Sequence, residues 1–404
     1  MTCKNRVERS DAGPIATVVY RYYPSFPSSR SGFDSRRSLY DNVILRSVWR
    51  FRRFFDGFAA ARVVESHAET PMEKMSARKA SARPLLFAAI LFALVAQSCG
   101  NLFPPPSPYD ENPDEAERLT ILADIHLPYK ASKLENAAEG EARTAAKLAM
   151  RDDINAWTDT SRVILTGDMV GERGCPDEYA IALSYISGLS GQVRPIAGNH
   201  EYTYSDEFGP TGSLVLCEAD ERARKLEYFK TAMGLESLQR EEELGGYELI
   251  YLSSDSLDTS RRVGISPESL AWLDDCLSAH ASLPTIIFFH APLKGTLNVK
   301  GKPASGNSVA QPTDAIHEIL GRHPQAFLWV SGHTHTRPSN ASFASPINLY
   351  DGRVMNIHCP DSDRIDPCTN SLWLYPDHVL IRTYDHRRSA WLTRLDRRVA
   401  AWGR

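Results

Sequence analysis

The sequence lacks a run of about 20 apolar residues, the length that a helix needs to cross a bilayer. The stretch Leu85–Ala96 is apolar for only 12 residues and is followed by Gln97-Ser98-Cys99. Basic residues precede this stretch, and small residues lie near its end. A basic segment, a short apolar run and a small-residue cut site together predict a secretory signal over 72–99.

The cysteine directly after the small residues resembles the cut site of a bacterial lipoprotein signal. That resemblance implies that Cys99 is lipidated and becomes the mature N-terminus, so the protein would be exported and anchored to a membrane. Signals begin near the N-terminus, so we interpret Met72 or Met75 as the start and residues 1–71 as an over-extended reading frame. The alternatives are an uncleaved anchor or buried helix at 85–96, and a disordered basic segment or cytoplasmic tail at 1–71.

The rest of the chain lacks an excess of positive charge. Residues 1–99 hold 16 Lys+Arg and 8 Asp+Glu, whereas the whole chain has a formal net charge of −4, so the remainder is acidic. A long nucleic-acid groove needs Lys and Arg to neutralise phosphates. Nucleic acid is therefore an unfavoured partner, although a small phosphorylated substrate is compatible with bound metal ions.

Cysteine is also scarce, with seven in 404 residues. Export would place them in an oxidising compartment, and two bridges are expected, Cys359–Cys368 and Cys175–Cys217. Cys276 lies on the apolar face of a predicted helix and is expected to be a buried free thiol.

The chain from 118 to 404 has the pattern of one α/β domain. The segment 100–117 is rich in proline and predicts an extended tether. After it, short apolar runs typical of buried strands alternate with helical segments. The expected strands are Leu119–Ala123, Val163–Thr166, Val193–Ala197, Thr285–Phe289 and Phe327–Val330, and the expected helices lie near 134–151, 177–189, 218–233, 266–280 and 309–321. Three later strands, Arg353–Ile357, Ser371–Tyr375 and Val379–Tyr384, are expected to complete a second sheet.

Five polar blocks each follow one of the five expected strands. They are Asp124-Ile125-His126, Gly167-Asp168, Gly198-Asn199-His200-Glu201, His290 and Gly332-His333-Thr334-His335. Ligands of α/β sheets bind at the carboxyl ends of strands, so the blocks should converge at one edge. Carboxylates, imidazoles and one amide in this number suit two divalent ions, which can clamp both oxygens of a phosphoryl displacement.

The ordered blocks resemble the calcineurin-like metallophosphoesterase superfamily, over roughly 119–340. The resemblance implies a four-layer α/β sandwich of two mixed sheets flanked by helices, and attack on a phosphate ester by a metal-bridging hydroxide. It implies metal ligation by Asp124, His126, Asp168, Asn199, His290, His333 and His335, with Asp168 as the bridge. It gives His200 a catalytic role on the substrate. The metal is Mn, Fe or Zn, since mixed nitrogen and oxygen ligands suit all three.

Two further absences distinguish this sequence from particular groups within the superfamily. Purple acid phosphatases carry a tyrosine three residues after the Gly-Asp aspartate, where this sequence has Gly171. Exported 5′-nucleotidases carry a large second domain, but only 69 residues follow His335. Lys294 and Arg337 lie on loops after metal blocks and are candidate substrate contacts. We expect hydrolysis of small phosphomonoesters or phosphodiesters; a nuclease and a non-catalytic metal-dependent scaffold are the alternatives.

Overall fold

The computed structural model describes residues 115–403. The helices are α1 (Ala137–Ala156), α2 (Pro176–Ile186), α3 (Ala219–Ala232), α4 (Pro267–Ala279) and α5 (Thr313–Arg322). The strands are β1 (Glu117–Leu122), β2 (Thr160–Leu165), β3 (Gln192–Pro195), β4 (Tyr204–Phe208), β5 (Leu214–Leu216), β6 (Gln239–Leu244), β7 (Tyr247–Leu252), β8 (Thr285–Phe289), β9 (Asn298–Val299), β10 (Lys302–Pro303), β11 (Ala326–Ser331), β12 (Leu349–Tyr350), β13 (Val354–His358), β14 (Cys368–Leu374), β15 (His378–Asp385), β16 (Ala390–Trp391) and β17 (Arg397–Ala400).

Two large mixed sheets form the centre of the domain. The first has the order β16-β15-β14-β1-β2-β3, with β17 paired to β15. Its strands β1, β2 and β3 are parallel, and β14 runs antiparallel to β1. The second has the order β12-β13-β11-β8-β7-β6, in which β7, β8, β11 and β13 are parallel.

The core is divided into three apolar layers. Side chains of both sheets, such as Ile121, Leu249 and Phe288, share one buried cluster. The opposite face of the first sheet is covered by a cluster that includes residues of α1, α2 and α3, and that of the second by residues of α4 and α5. The expected four-layer architecture, two mixed sheets flanked by helices, is therefore confirmed.

Local sequence explains where helices begin. The Ser266 side chain caps α4 by accepting a hydrogen bond from the Ser269 N–H at 3.1 Å, and Pro267 occupies the first helical position. Asn136 caps α1 in the same way through the Glu139 N–H at 3.0 Å.

The expectation that the three late strands complete the second sheet is wrong for two of them. Only β13 joins that sheet, whereas β14 and β15 extend the first. Strand β14 fits there because its alternate side chains are buried on both faces: Leu372 packs between the sheets and Trp373 joins an outer aromatic cluster. The hairpin of β6 and β7 was absent from the sequence-based expectation.

The two expected disulfides are also wrong: Cys175, Cys217, Cys359 and Cys368 are free thiols, as is Cys276. Cys359 packs in the cluster between the sheets, where its Sγ accepts a hydrogen bond from Asn370 at 3.7 Å. The Cys368 Sγ instead faces the Asp366 carbonyl at 3.9 Å. The prediction of a buried free thiol at Cys276 is confirmed.

The described residues, 115–403, include no helix whose length and hydropathy would let it span a bilayer. The expected segment 1–71, the expected signal 72–99 with Cys99, and the tether up to 114 lie outside the described residues.

Candidate metal centre

The five polar blocks meet at one edge of the two sheets. Three follow β1, β2 and β3 of the first sheet, and two follow β8 and β11 of the second. The backbone joins the blocks directly: the His126 N–H donates to the Asp168 carbonyl at 2.9 Å, and the Gly332 N–H to the His290 carbonyl at 2.9 Å.

The backbone at this edge is left-handed at five non-glycine residues. The φ angles are 49° at Asp124, 47° at His126, 53° at Asp168, 67° at His333 and 49° at His335. Such conformations cost on the order of 1–3 kcal/mol each and persist where the surroundings determine them. All five belong to the ligand set that the sequence predicts.

Two glycines give the carboxylates their space. A Cβ at Gly198 would lie 2.4 Å from the Asp168 Oδ1, and one at Gly332 would lie 2.4 Å from the Asp124 Oδ2. Any larger residue at either position would displace a carboxylate.

The first donor cluster consists of Asp124, His126, Asp168 and His335, whose ligand atoms all lie within 4.8 Å of one another. The two imidazoles face each other through their Nε2 atoms, 3.3 Å apart. Their Nδ1 atoms are engaged on the far side, His126 with the Gly171 carbonyl at 2.8 Å and His335 with the Asp361 carboxylate at 2.9 Å. We assign the proton to Nδ1 in both rings, so both Nε2 lone pairs point into the cluster.

The second donor cluster consists of Asp168, His290 and His333, again within 4.8 Å. The His290 Nδ1–H donates to the Thr166 carbonyl at 2.8 Å, so its Nε2 points inward. That Nε2 lies 3.2 Å from the Asp168 Oδ2, 3.2 Å from the His333 Nδ1 and 3.3 Å from the Asn199 Oδ1. Asn199 therefore completes this cluster, and Asp168 belongs to both.

The residues present fit two cations. The Asp124 Oδ1 is buried and has no hydrogen-bond partner among the described residues, and burial raises the pKa of this carboxyl group. Burial lowers the pKa of His126 well below its ordinary value and that of His333 to about 3, so both rings are neutral. Despite burial, the Asp168 carboxylate raises the pKa of His290 to about 9, and Asp124 raises that of His335, so a bound cation would replace a proton on these two rings. Imidazoles bind metal ions in their neutral form, and carboxylates bind them through oxygens that no other group occupies.

His200 lies beside both clusters but belongs to neither. Its N–H donates to the Asp168 Oδ1 at 2.8 Å, and its Nδ1–H donates to the Glu172 carbonyl. The ring packs edge-on to His126 with centroids 4.8 Å apart. Its Nε2 accepts a hydrogen bond from the Lys130 Nζ at 2.9 Å, and burial lowers the pKa of this imidazole to about 3.

Sequence reasoning missed three residues of this centre. Lys130 lies four residues after His126, and no motif marks it. The buried Glu201 carboxylate holds the Gly-Asp turn by accepting the N–H groups of Asp168 at 2.9 Å and Met169 at 2.7 Å. Asp361 orients His335 and also pairs with Arg364 at 2.7 Å. Glu201 could have been found from the sequence, because it is the last residue of the block Gly198-Asn199-His200-Glu201.

The two candidate substrate contacts differ in position. Lys294 is exposed on its loop. Arg337 pairs with Asp366 at 3.3 Å and lines a shallow cavity together with His335. Arg337 is thus the better placed of the two.

Comparison with known proteins places the chain in a family. The model of the calcineurin-like phosphoesterase family matches residues 117–337, more than half of the chain. No curated protein sequence matches. Among solved structures, a dimetal phosphatase from Danio rerio is 16% identical with a TM-score of 0.45, covering 71% of this chain and 100% of that one. A purple acid phosphatase from yellow lupin is 12% identical with a TM-score of 0.44, covering 70% of this chain and 54% of that one. These likenesses are too distant to indicate a substrate, but the family match is sufficient by itself: the chain belongs to the calcineurin-like phosphoesterase family.

Proposed function

We propose that this protein is a two-metal phosphoesterase that hydrolyses small phosphomonoesters or phosphodiesters. The observation that carries the proposal is the sharing of Asp168 between two buried donor clusters. One carboxylate common to two ligand sets is what a pair of ions a few ångströms apart requires.

Asp124, His126, Asp168 and His335 would hold the first ion, and Asp168, Asn199, His290 and His333 the second. Bound ions supply Lewis-acid activation of the phosphate and lower the pKa of water. Mn, Fe and Zn all suit these ligands. The rigid strand ends and the acceptors behind each imidazole keep the ligand atoms aimed at the same place.

His200 and Lys130 would act on the ester. The Glu172 carbonyl fixes the Nδ1 proton of His200, which leaves the Nε2 to accept from the Lys130 ammonium. A phosphate ester bound here would meet this paired ammonium at the edge of the clusters. We infer that His200, paired with Lys130, stabilises the negative charge that develops on the leaving oxygen.

The two alternatives receive less support. A nuclease would need a basic groove, whereas the chain beyond residue 99 is acidic. A binding scaffold that has lost catalysis would not require His200 to be held by two hydrogen bonds beside the clusters.

The test is activity of the purified full chain against a panel of phosphomonoesters, phosphodiesters and short DNA and RNA. Each substrate is offered with Mn²⁺, Fe²⁺ or Zn²⁺, and the chelator-treated protein is the control. We expect turnover of at least one small ester with an added metal and none after chelation. Turnover of nucleic acid alone would favour the nuclease, and metal binding without any turnover would favour the scaffold.

We also propose that the protein is exported as a lipoprotein anchored through Cys99, which the sequence over 72–99 supports. A chain started at Met72 or Met75 should incorporate labelled palmitate, and Cys99→Ser should abolish the label. Labelling of the Cys99→Ser variant would overturn the anchor.

A further inference from the structure

A third group of metal-ligating side chains lies away from the sheet edge that carries the metal centre. It consists of Glu241 on β6, Glu248 on β7 and His280 directly after α4, with Cys276 of α4 beside them. We call these four residues the outer cluster. They join the hairpin of β6 and β7 to the helix that covers the second sheet.

Regular geometry brings the four side chains together. Cys276 and His280 are four residues apart, so they share one face of the helix. Glu243 pairs directly with Glu248 across the hairpin. Glu241 lies two residues before Glu243 on the same face, so Glu241 is the diagonal neighbour of Glu248.

The His280 imidazole lies between the two carboxylates, so an ion would be bound by one of its nitrogens together with oxygens of Glu241 and Glu248. The His280 Nδ1 lies 3.4 Å from the Glu248 Oε2, and the His280 Nε2 lies 3.6 Å from the Glu241 Oε1. The donor atoms of these three residues lie within 4.8 Å of one another. The Cys276 thiol lies beside this group of three, with its Sγ in contact with the Glu241 Oε2, and is the candidate fourth ligand.

Glu248 supplies an independent sign of a missing partner. It is 1% exposed, and neither of its carboxylate oxygens has a hydrogen bond among the described residues. A buried carboxylate without such bonds is costly. Burial raises the pKa of Glu248 to about 7, as expected of a carboxylate that is removed from bulk solvent.

We propose that the outer cluster binds one zinc-like divalent cation through Glu241, Glu248, Cys276 and His280. Four ligands match the tetrahedral preference of Zn²⁺ in structural sites. A thiolate and an imidazole favour Zn²⁺ over Ca²⁺ and Mg²⁺, which prefer oxygen ligands. The ion would tie α4 to the hairpin at the edge of the second sheet, independently of the proposed catalysis. The competing arrangement is His280 held between the two glutamates without metal.

The test uses Co²⁺ as a probe of the chelator-treated full chain. The two donor clusters of the metal centre contain no cysteine, so a near-ultraviolet thiolate-to-cobalt band that depends on Cys276 reports the outer cluster. We expect a band that Cys276→Ser removes and that Glu248→Gln shifts to at least tenfold higher Co²⁺ concentration. The matched controls, Cys217→Ser for a buried thiol and His317→Gln for an exposed histidine, should retain it. Absence of the band in the wild-type chain, or its survival in Cys276→Ser, would overturn the proposal.

A second measurement needs no variant. Zn²⁺ should slow alkylation of Cys276 at least tenfold in the folded wild-type chain, measured residue by residue by mass spectrometry, while Cys175 and Cys217 keep their rates. Equal slowing of all the thiols, or no slowing at Cys276, would show that the ion is not at the outer cluster. Repeating the measurement with Asp168→Asn separates this result from the metal centre, because that variant lacks the shared carboxylate.

Discussion

The metal centre and the outer cluster are built by opposite means. In the metal centre, five of the seven predicted ligands have left-handed backbone, and each lies just after a strand. In the outer cluster, Glu241 and Glu248 lie on regular strands, and Cys276 lies within a helix. Helical and strand periodicity is therefore enough to bring four donors together. Two clusters that share one carboxylate instead need left-handed backbone, which the packing at the sheet edge holds in place.

The cost of that backbone is offset by contacts that the outer cluster does not have. Three of the imidazoles that point inward donate their Nδ1–H to a fixed acceptor. For two of them the acceptor is a backbone carbonyl in a loop of the first sheet, and for the third it is the Asp361 carboxylate. Glu201 clamps the turn of Asp168 through backbone N–H groups. The outer cluster includes an exposed residue, Glu241. We therefore expect substitutions to separate the two regions cleanly.

Asp168→Asn should have the largest effect, because it removes the charge common to both donor clusters. Both ions and all phosphoesterase activity should be lost, as measured by elemental analysis and turnover. The cobalt–thiolate band of the outer cluster should persist. Loss of that band together with the other two ions would mean that the two regions are not independent.

His200→Ala should retain both ions and lose about 10²–10⁴-fold in rate, the range for removal of a proton-transferring or charge-stabilising group. The structural reason is that His200 contacts Asp168 through its backbone while its ring faces Lys130. The same two measurements apply. A variant without bound metal would show that the ring is a ligand after all.

Gly332→Ala tests the crowded backbone of the metal centre. The added Cβ would lie 2.4 Å from the Asp124 Oδ2, which accepts the His333 N–H at 2.8 Å. We expect weaker metal binding by about 10–100-fold, as for a disturbed supporting contact. The matched control is Gly321→Ala in α5, where a Cβ meets nothing within 4 Å; it should bind metal normally. Equal behaviour of the two variants would contradict the steric argument.

Lys130→Met should have the smallest effect of the four. Removing a hydrogen bond from a charged donor to the ester should lower kcat/KM by about tenfold or more, with metal content unchanged. Lys133→Met, at an exposed lysine three residues away, is the control and should leave kcat/KM as it was. If both variants matched the wild type, Lys130 would not touch the substrate.

Sequence patterns predicted much of the fold because strand and helix periodicity is local. The strand Thr285–Phe289 was predicted with its observed bounds, and Ser266 marked the start of α4. The assignment of β14 and β15 to a sheet failed because two-sided burial of a strand such as Cys368–Leu374 depends on what packs against each face. The disulfides failed for a related reason: Cys359 and Cys368 are close in sequence, but the Cys359 thiol is buried between the sheets.

What the sequence by itself determined is the identity and order of the donors, since each block follows an apolar strand and strand ends meet at one edge. It also placed the chain within its family through residues 117–337. Only the tertiary structure decided which nitrogen of each ring points inward, because the acceptors that fix the proton, such as the Gly171 carbonyl and Asp361, come from distant segments. It alone placed Lys130 against His200 and Cys276 against Glu241. Contacts between residues so far apart in the chain arise from the packing of sheets and helices, which no local pattern encodes.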